Sequence, residues 1–296
     1  LNNLGYLKNA KNIIEMGSQE IHITKEDLKE LFEIAGLEKN LIEKFPNVKN
    51  WPFKPKCSSK YLFKSLGIDK YESIDLNGEH GSIIHDLNKP FEDKSKFNSF
   101  DIVTDYGSCE HVFNITECYK TVHNLAKSGG YIIIAQGTLK GNGYFKFDEC
   151  FIEGIAAANN YNVVYSSYLI KPGIKTSNGS FSEFHIPRNQ TMLNCIDQSK
   201  FQSEFGTPKE IGIYCVLQKT SENEFKMPYQ GDIIKDIYNI AGFNRAYMKD
   251  DMSYNYIPSS TTKLEDASLA VIIKVLIKSF KNSIKKVIRI LIMKIK

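Results

Sequence analysis

The 296 residues include six cysteines, and no two of them form a CxxC pair. Cys57, Cys109, Cys118, Cys150, Cys195 and Cys215 are scattered. That spacing excludes a zinc ribbon and reads as reduced thiols of a cytoplasmic protein. No tail run without a charge approaches the roughly 20 apolar residues that span a bilayer. Residues 1–20 are polar and broken by charges, unlike a secretory signal. There is no internal repeat and no long low-complexity stretch. Acidic residues are missing from one region altogether: 267–296 hold eight Lys or Arg and no Asp or Glu. The preceding 266 residues carry 30 basic and 34 acidic side chains. The net charge of +4 thus describes neither part, and it gives no ground for expecting nucleic acid as a partner.

What is present is ordinary for a globular protein: 42% hydrophobic and 24% charged residues, in a chain long enough to bury a sizeable core. Residues 12–16 (NIIEM) form an apolar run that stops at Gly17 and predicts a short buried strand. Residues 25–35 place Leu28, Leu31, Phe32 and Ala35 on one helical face, with Thr24 as N-cap. Residues 44–56 read as loop and 58–66 as helix. Strands follow at 71–76, 82–85 and 100–105, then an amphipathic helix at 113–126. Ser128-Gly129-Gly130 breaks the chain before a continuous apolar strand at 131–135. A helix at 147–159 and strands at 162–168 and 211–218 complete the pattern. Alternating strands and helices predict an open, mostly parallel α/β sheet, with ligands at the carboxyl ends of its strands.

The polar residues at those ends form an ordered set. They are Glu15-Met16-Gly17-Ser18-Gln19, then Asp75-Leu76-Asn77, then His85-Asp86-Leu87-Asn88, then Asp105-Tyr106-Gly107-Ser108-Cys109-Glu110-His111-Val112. With these residues the chain resembles the class I S-adenosylmethionine-dependent methyltransferases over about 11–218, most clearly over 70–168. The resemblance implies a doubly wound, seven-stranded, Rossmann-like sheet and S-adenosylmethionine as cofactor. It implies that Glu15 and Gly17 form the turn beside the cofactor's amino-acid end, and that Asp75, followed by Leu76, takes the ribose hydroxyls. By the same resemblance Asp86 and Leu87 meet the adenine, and Tyr106 and Gly107 flank the methionine part. Glu110-His111-Val112 looks like the family's E-H-V segment, and the Gly129-Gly130 turn like its G-G turn. Gln19 stands where the family has its second glycine. The same missing glycines argue against a nicotinamide enzyme, which needs G-x-G-x-x-G for the pyrophosphate.

Methyl transfer to a hydroxyl benefits from a base. His111 is the first candidate, because it follows the fourth strand and histidine is the residue type suited to proton transfer at neutral pH, with Glu110 as assistant; a packing histidine is the alternative. Tyr144, in the 141–147 segment (GNGYFKF), and His185 are candidates for the acceptor side. No metal site is expected. The expected domains are a cofactor-binding domain at 1–220, with inserted or substrate-side segments at 24–60 and 171–209, an extension at 221–266 and a basic amphipathic helix at 267–296. In that helix Lys274, Lys278, Lys281, Lys285 and Arg289 lie beside a broad apolar face. It reads either as a membrane-surface element at the inner face of the membrane or as a docking helix, on the body or in a homodimer. The expected activity is O-methylation of a small molecule or a surface-glycan precursor, as in polysaccharide biosynthesis. The alternative is a catalytically inactive scaffold at a membrane assembly.

Overall fold

The computed structural model describes residues 9–22, 24–46, 57–139, 142–147, 149–171, 184–187 and 210–228. For 39, 44, 139, 149, 171 and 184–187 it describes the backbone alone. In chain order the strands are β1 (Asn12–Met16), β2 (Glu20–Ile21), β3 (Cys57–Ser58), β4 (Lys70–Asp75), β5 (Ile83–Ile84), β6 (Phe100–Tyr106), β7 (Ala126–Leu139), β8 (Asn162–Lys171), β9 (Phe184–Pro187) and β10 (Glu210–Gln218). The helices are α1 (Lys25–Ile34), α2 (Lys60–Ser65), α3 (Ile115–Leu125) and α4 (Glu149–Ala158).

The main sheet runs β5-β4-β1-β6-β7-β10-β8-β9. The pairs from β5 through β7 are parallel, whereas β10 is antiparallel to both β7 and β8. Its first seven strands form the doubly wound, Rossmann-like, mostly parallel sheet that the sequence predicts. The short β9 adds an eighth strand at the edge, antiparallel to β8. Strand order reverses between β1 and β6, and such a reversal opens a crevice at the carboxyl edge.

Period-two alternation divides the core into two layers. Ile14, Met16, Ile74, Val103, Ile132 and Ile134 face α3, where Val122 and Leu125 meet them. Ile13, Ile102, Ile133 and Val216 face the other way, onto Phe63 and Ile68. A third, smaller cluster joins Leu28 and Phe32 of α1 to Ile21, Ile42, Phe45 and Cys57. Thr24 caps α1 as expected: its hydroxyl accepts from Asp27 N at 3.1 Å, and the Asp27 carboxylate accepts from Thr24 N at 3.2 Å. The apolar face of α1 is narrower than expected, since Leu31 is half exposed. The insertion between Gly17 and Asp75 holds, besides α1, the two-residue strands β2 and β3, which pair antiparallel, and α2. Ser128-Gly129-Gly130 does not end the ladder. Gly129 adopts φ +79°, the register shifts there, and a Cβ on Gly130 would lie 3.0 Å from Phe100 O. The glycines thus let β7 bulge and continue. No described helix is long and apolar enough to cross a membrane. The expected extension beyond 228 and the basic helix at 267–296 lie outside the described residues.

Candidate active site

Three strand-end loops are bolted together at the carboxyl edge. Gly17 ends β1 at φ +85°, and its N–H donates to Ile74 O at 2.8 Å. A Cβ at Gly17 would meet Ser108 Oγ at 2.2 Å, so only glycine fits this turn. Both oxygens of Asp75 accept backbone N–H groups: Oδ2 from Ser18 at 2.8 Å and Oδ1 from Asn77 at 3.1 Å. The Gln19 amide reaches Met16 O at 3.2 Å and Ser108 Oγ at 3.0 Å, tying the first loop to the loop after β6. Where the family pattern has an open glycine, a side chain therefore fills the turn.

Glu15 does not reach the surface. It is 0% exposed, and its carboxylate accepts from Ser59 Oγ, from Tyr71 Oη at 2.6 Å and from Thr104 Oγ1 at 3.3 Å. Burial outweighs these donors and raises its pKa from 4.5 to about 7. Glu15 thus supports the Gly17 turn from below and presents no oxygen to a ligand. Asp105, on the opposite face of the sheet, braces the next loop. Its Oδ1 accepts from Ser108 N at 3.2 Å and Cys109 N at 3.0 Å; its Oδ2 accepts from Tyr119 Oη at 3.1 Å and from Gln136 Nε2. Complete burial pushes the Asp105 carboxyl above the usual range.

Asp86 accepts from Asn88 N at 3.0 Å and Asn88 Nδ2 at 2.9 Å, and these bonds hold its carboxyl below the usual range. Leu87 is buried in the core. Leu76 and Ile84 project from adjacent strand ends and are 68% and 72% exposed. An acidic group with apolar neighbours therefore marks the ends of both β4 and β5.

Beyond these loops a cleft of about 260 Å³ opens at the carboxyl ends of β6 and β7. Tyr106 and Gly107 line it from β6, residues 135–137 from β7, and Glu110 from the turn between β6 and α3. Leu169 of β8 and Glu210 and Gly212 of β10 complete the wall. Glu110 is 5% exposed, and its Oε2 accepts from Gly137 N at 2.9 Å. A Cβ on Gly143 would lie 2.6 Å from Glu110 O, so the 142–147 segment packs on this turn through its glycine. His111 Nε2 lies 3.6 Å from Glu110 Oε1, with the imidazole nearly half exposed, and His111 is not part of the cleft wall. Tyr144 and Phe113 are both largely exposed and stack edge to face at 5.8 Å. His185 falls on β9, paired with Leu169; its side chain is outside the description.

The structure therefore gathers Gly17, Gln19 and Asp75 into one loop cluster, and Tyr106, Gly107 and Glu110 into the cleft beside it. Gln136, Glu210 and Gly212 were not singled out from the sequence. Gln136 carried a usable signal: it is the first polar residue after the apolar run 131–135. Among the described residues one trio, Glu20, Glu79 and His80, brings potential metal ligands within 4.8 Å of one another, and it is largely exposed.

No family model matches the chain, and no curated protein matches it. Among solved structures it is similar to a SAM-dependent methyltransferase from Archaeoglobus fulgidus, with 10% identity over 73% of this chain and 90% of that one, at a TM-score of 0.39. It is also similar to a putative methyltransferase from Bacillus halodurans, with 13% identity over 55% of this chain and 87% of that one, at a TM-score of 0.37. A third, StiE O-MT, is 14% identical over 74% of this chain and 71% of its own, at a TM-score of 0.33.

Proposed function

We propose that this chain transfers the methyl group of S-adenosylmethionine to an oxygen of a small molecule or surface-glycan precursor. The observation that carries the proposal is the Gly17–Asp75–Ser108 loop cluster lying at the strand-order reversal, next to a cleft that holds a buried carboxylate. The residues present fit the cofactor. Asp75 keeps acceptor capacity on both oxygens for ribose hydroxyls, and exposed Leu76 and Ile84 offer an apolar surface for a purine. Gln19 and Ser108 supply polar groups on the amino-acid side. When bound, the cofactor supplies an electrophilic methyl group.

The chain's own task is then to orient the acceptor and take its proton. Glu110 is placed for both. Gly137 N fixes one carboxylate oxygen, and the other faces His111 across 3.6 Å. In this reading Glu110 accepts the acceptor's proton and His111 passes it to solvent. Thermal unfolding with S-adenosylhomocysteine tests the cofactor assignment. Ligand at a hundredfold excess over its Kd should stabilise the fold by about 2.7 kcal/mol. Absence of any shift at millimolar ligand would overturn the assignment.

A second reading is favoured by one observation. The Gln19 side chain fills the turn that the family leaves open, as expected of a scaffold that has lost catalysis. Replacing Gln19 by Gly separates the two readings, because an enzyme keeps or gains cofactor affinity and a scaffold shows none. The basic 267–296 segment fits a helix lying on an anionic membrane surface from the cytoplasmic side. Co-sedimentation of the full chain with anionic vesicles, lost in high salt, is the corresponding test.

A further inference from the structure

Two thiols touch beneath the turn that carries Glu110. Cys109 opens the short helical turn Cys109–His111, and Cys118 lies in the first half of α3. Both side chains are 0% exposed, and their sulfurs are 2.7 Å apart. Non-bonded carbon atoms, which are smaller than sulfur, come to rest roughly 3.5–4.0 Å apart. The contact is therefore too close for two independent thiols, and less than about 1 Å of movement separates it from a sulfur–sulfur bond of about 2.0 Å. Other buried thiols sit at ordinary range from oxygen: Cys57 Sγ is 3.8 Å from Ser58 O, and Cys215 Sγ is 3.3 Å from Ser166 Oγ. Both backbones of the close pair are anchored where they stand. Cys109 N donates to Asp105 Oδ1 at 3.0 Å, and Cys118 N donates to Asn114 O at 3.2 Å. The adjacent Tyr119 hydroxyl donates to Asp105 Oδ2 at 3.1 Å, so one carboxyl already ties the turn to the helix.

We propose that Cys109 and Cys118 form a disulfide that fastens the Glu110 turn to α3. The oxidant is a small disulfide of the glutathione class. One cysteine thiolate attacks it, the small S–S bond breaks, and a mixed disulfide and one small thiol result. The second cysteine attacks the protein sulfur of the mixed bond, forms the Cys109–Cys118 bond and expels the second small thiol. The two protein thiol protons end on the two released thiols, so the protein loses two electrons and the small disulfide gains them. Burial, then the Cys118 thiol and the Asp105 carboxyl, push the Cys109 thiol well above its ordinary range. Exchange needs a thiolate, so it proceeds when the turn opens and stops when it closes. The bond closes a loop of ten residues, 109–118, and restricts the unfolded chain accordingly. Its position decides what it steadies. Cys109 precedes Glu110, whose Oε2 accepts from Gly137 N at 2.9 Å, so the bond holds that carboxylate at the cleft wall. The bearing of this on methyl transfer rests on the proposed function; the pairing itself does not.

Thiol mapping on the full chain tests the pairing. Trypsin leaves both cysteines in one peptide, 97–120, because no Lys or Arg lies between Lys96 and Lys120. The chain is equilibrated in a fixed mixture of glutathione and glutathione disulfide, once in urea below the unfolding midpoint, where the turn can open and reclose, and once in urea that unfolds it. Remaining thiols are alkylated in denaturant and the peptide is weighed. The ratio of internal disulfide to dithiol should be at least about 100-fold higher in the folded sample, the factor expected when a fold holds the ends of a ten-residue loop together. An equal or lower ratio, glutathione retained on either sulfur of the folded chain, or a bond from either cysteine to a different one would overturn the pairing. Amide exchange over Ser108–His111 should slow at least about tenfold on oxidation of wild type and not at all in Cys118→Ser, or in Cys118→Ala if the serine variant does not fold. Equal exchange in oxidised and reduced wild type would overturn the fastening of the turn. None of these readings involves the cofactor, so the pairing and the methyl-transfer proposal fail separately.

Discussion

Glu15→Gln should change sign in its effect on stability between acid and alkaline pH. The carboxyl is completely buried, and its folded pKa is raised from 4.5 to about 7. A folded pKa above the unfolded one means that the folded state holds the extra proton. The stability associated with that proton is fully present below about pH 4.5 and is lost as pH rises through 7. Each pKa unit is worth about 1.36 kcal/mol, so the loss across this window is about 3 kcal/mol. Glutamine does not titrate. It keeps an oxygen for Tyr71 or Ser59 but cannot serve all three hydroxyls, a deficit of about 1 kcal/mol. The variant should therefore be about 1 kcal/mol less stable than wild type at pH 3.5 and about 2 kcal/mol more stable at pH 8. Urea unfolding of both proteins at the two pH values gives the difference directly. A difference that does not move with pH would refute a buried, titrating Glu15.

Gly17→Ala should cost about 2 kcal/mol or more, because it adds left-handed backbone strain to a Cβ 2.2 Å from Ser108 Oγ. The same change made together with Ser108→Ala should cost less, which a double-mutant cycle read by urea unfolding would show. His123 is buried between Tyr161 Oη at 2.5 Å and Asn223 O at 2.6 Å, and burial, reinforced by the Lys219 ammonium, lowers its pKa from 6.5 to about 4. Here the unfolded state binds the extra proton, so stability should fall by about 3 kcal/mol as pH drops from 6.5 through 4. Glu15 and His123 thus act in opposite directions over nearly the same range. For that reason the check is the difference between wild type and His123→Gln at each pH, which should shrink on acidification; parallel curves would contradict it.

The elements with strong periodicity were legible in the sequence. The strands at 12–16 and 100–105, the Thr24 cap and the alternation of strands and helices all follow from local pattern. So did the acids at the strand ends, because strand ends are where a parallel sheet leaves polar groups. What local pattern cannot carry is the partner of a buried group. Glu15 reads as a surface acid beside a cofactor until Ser59, Tyr71 and Thr104 arrive from three other segments. The two-residue strands β2 and β3 have no period to detect, since 20–21 and 57–58 are joined only by the tertiary fold. The cleft wall has the same origin: Leu169, Glu210 and Gly212 are brought to Glu110 by the antiparallel return of β10 between β7 and β8.

The most direct test of the central claim is calorimetric titration of S-adenosylhomocysteine into the wild-type chain and into Asp75→Ala. Wild type should bind, and the variant should bind about 10- to 100-fold more weakly, the effect of losing a charged group worth roughly 1.5–3 kcal/mol in hydrogen bonds. Absence of binding by wild type, or equal affinity in the two proteins, would contradict a cofactor site at the ends of β1 and β4.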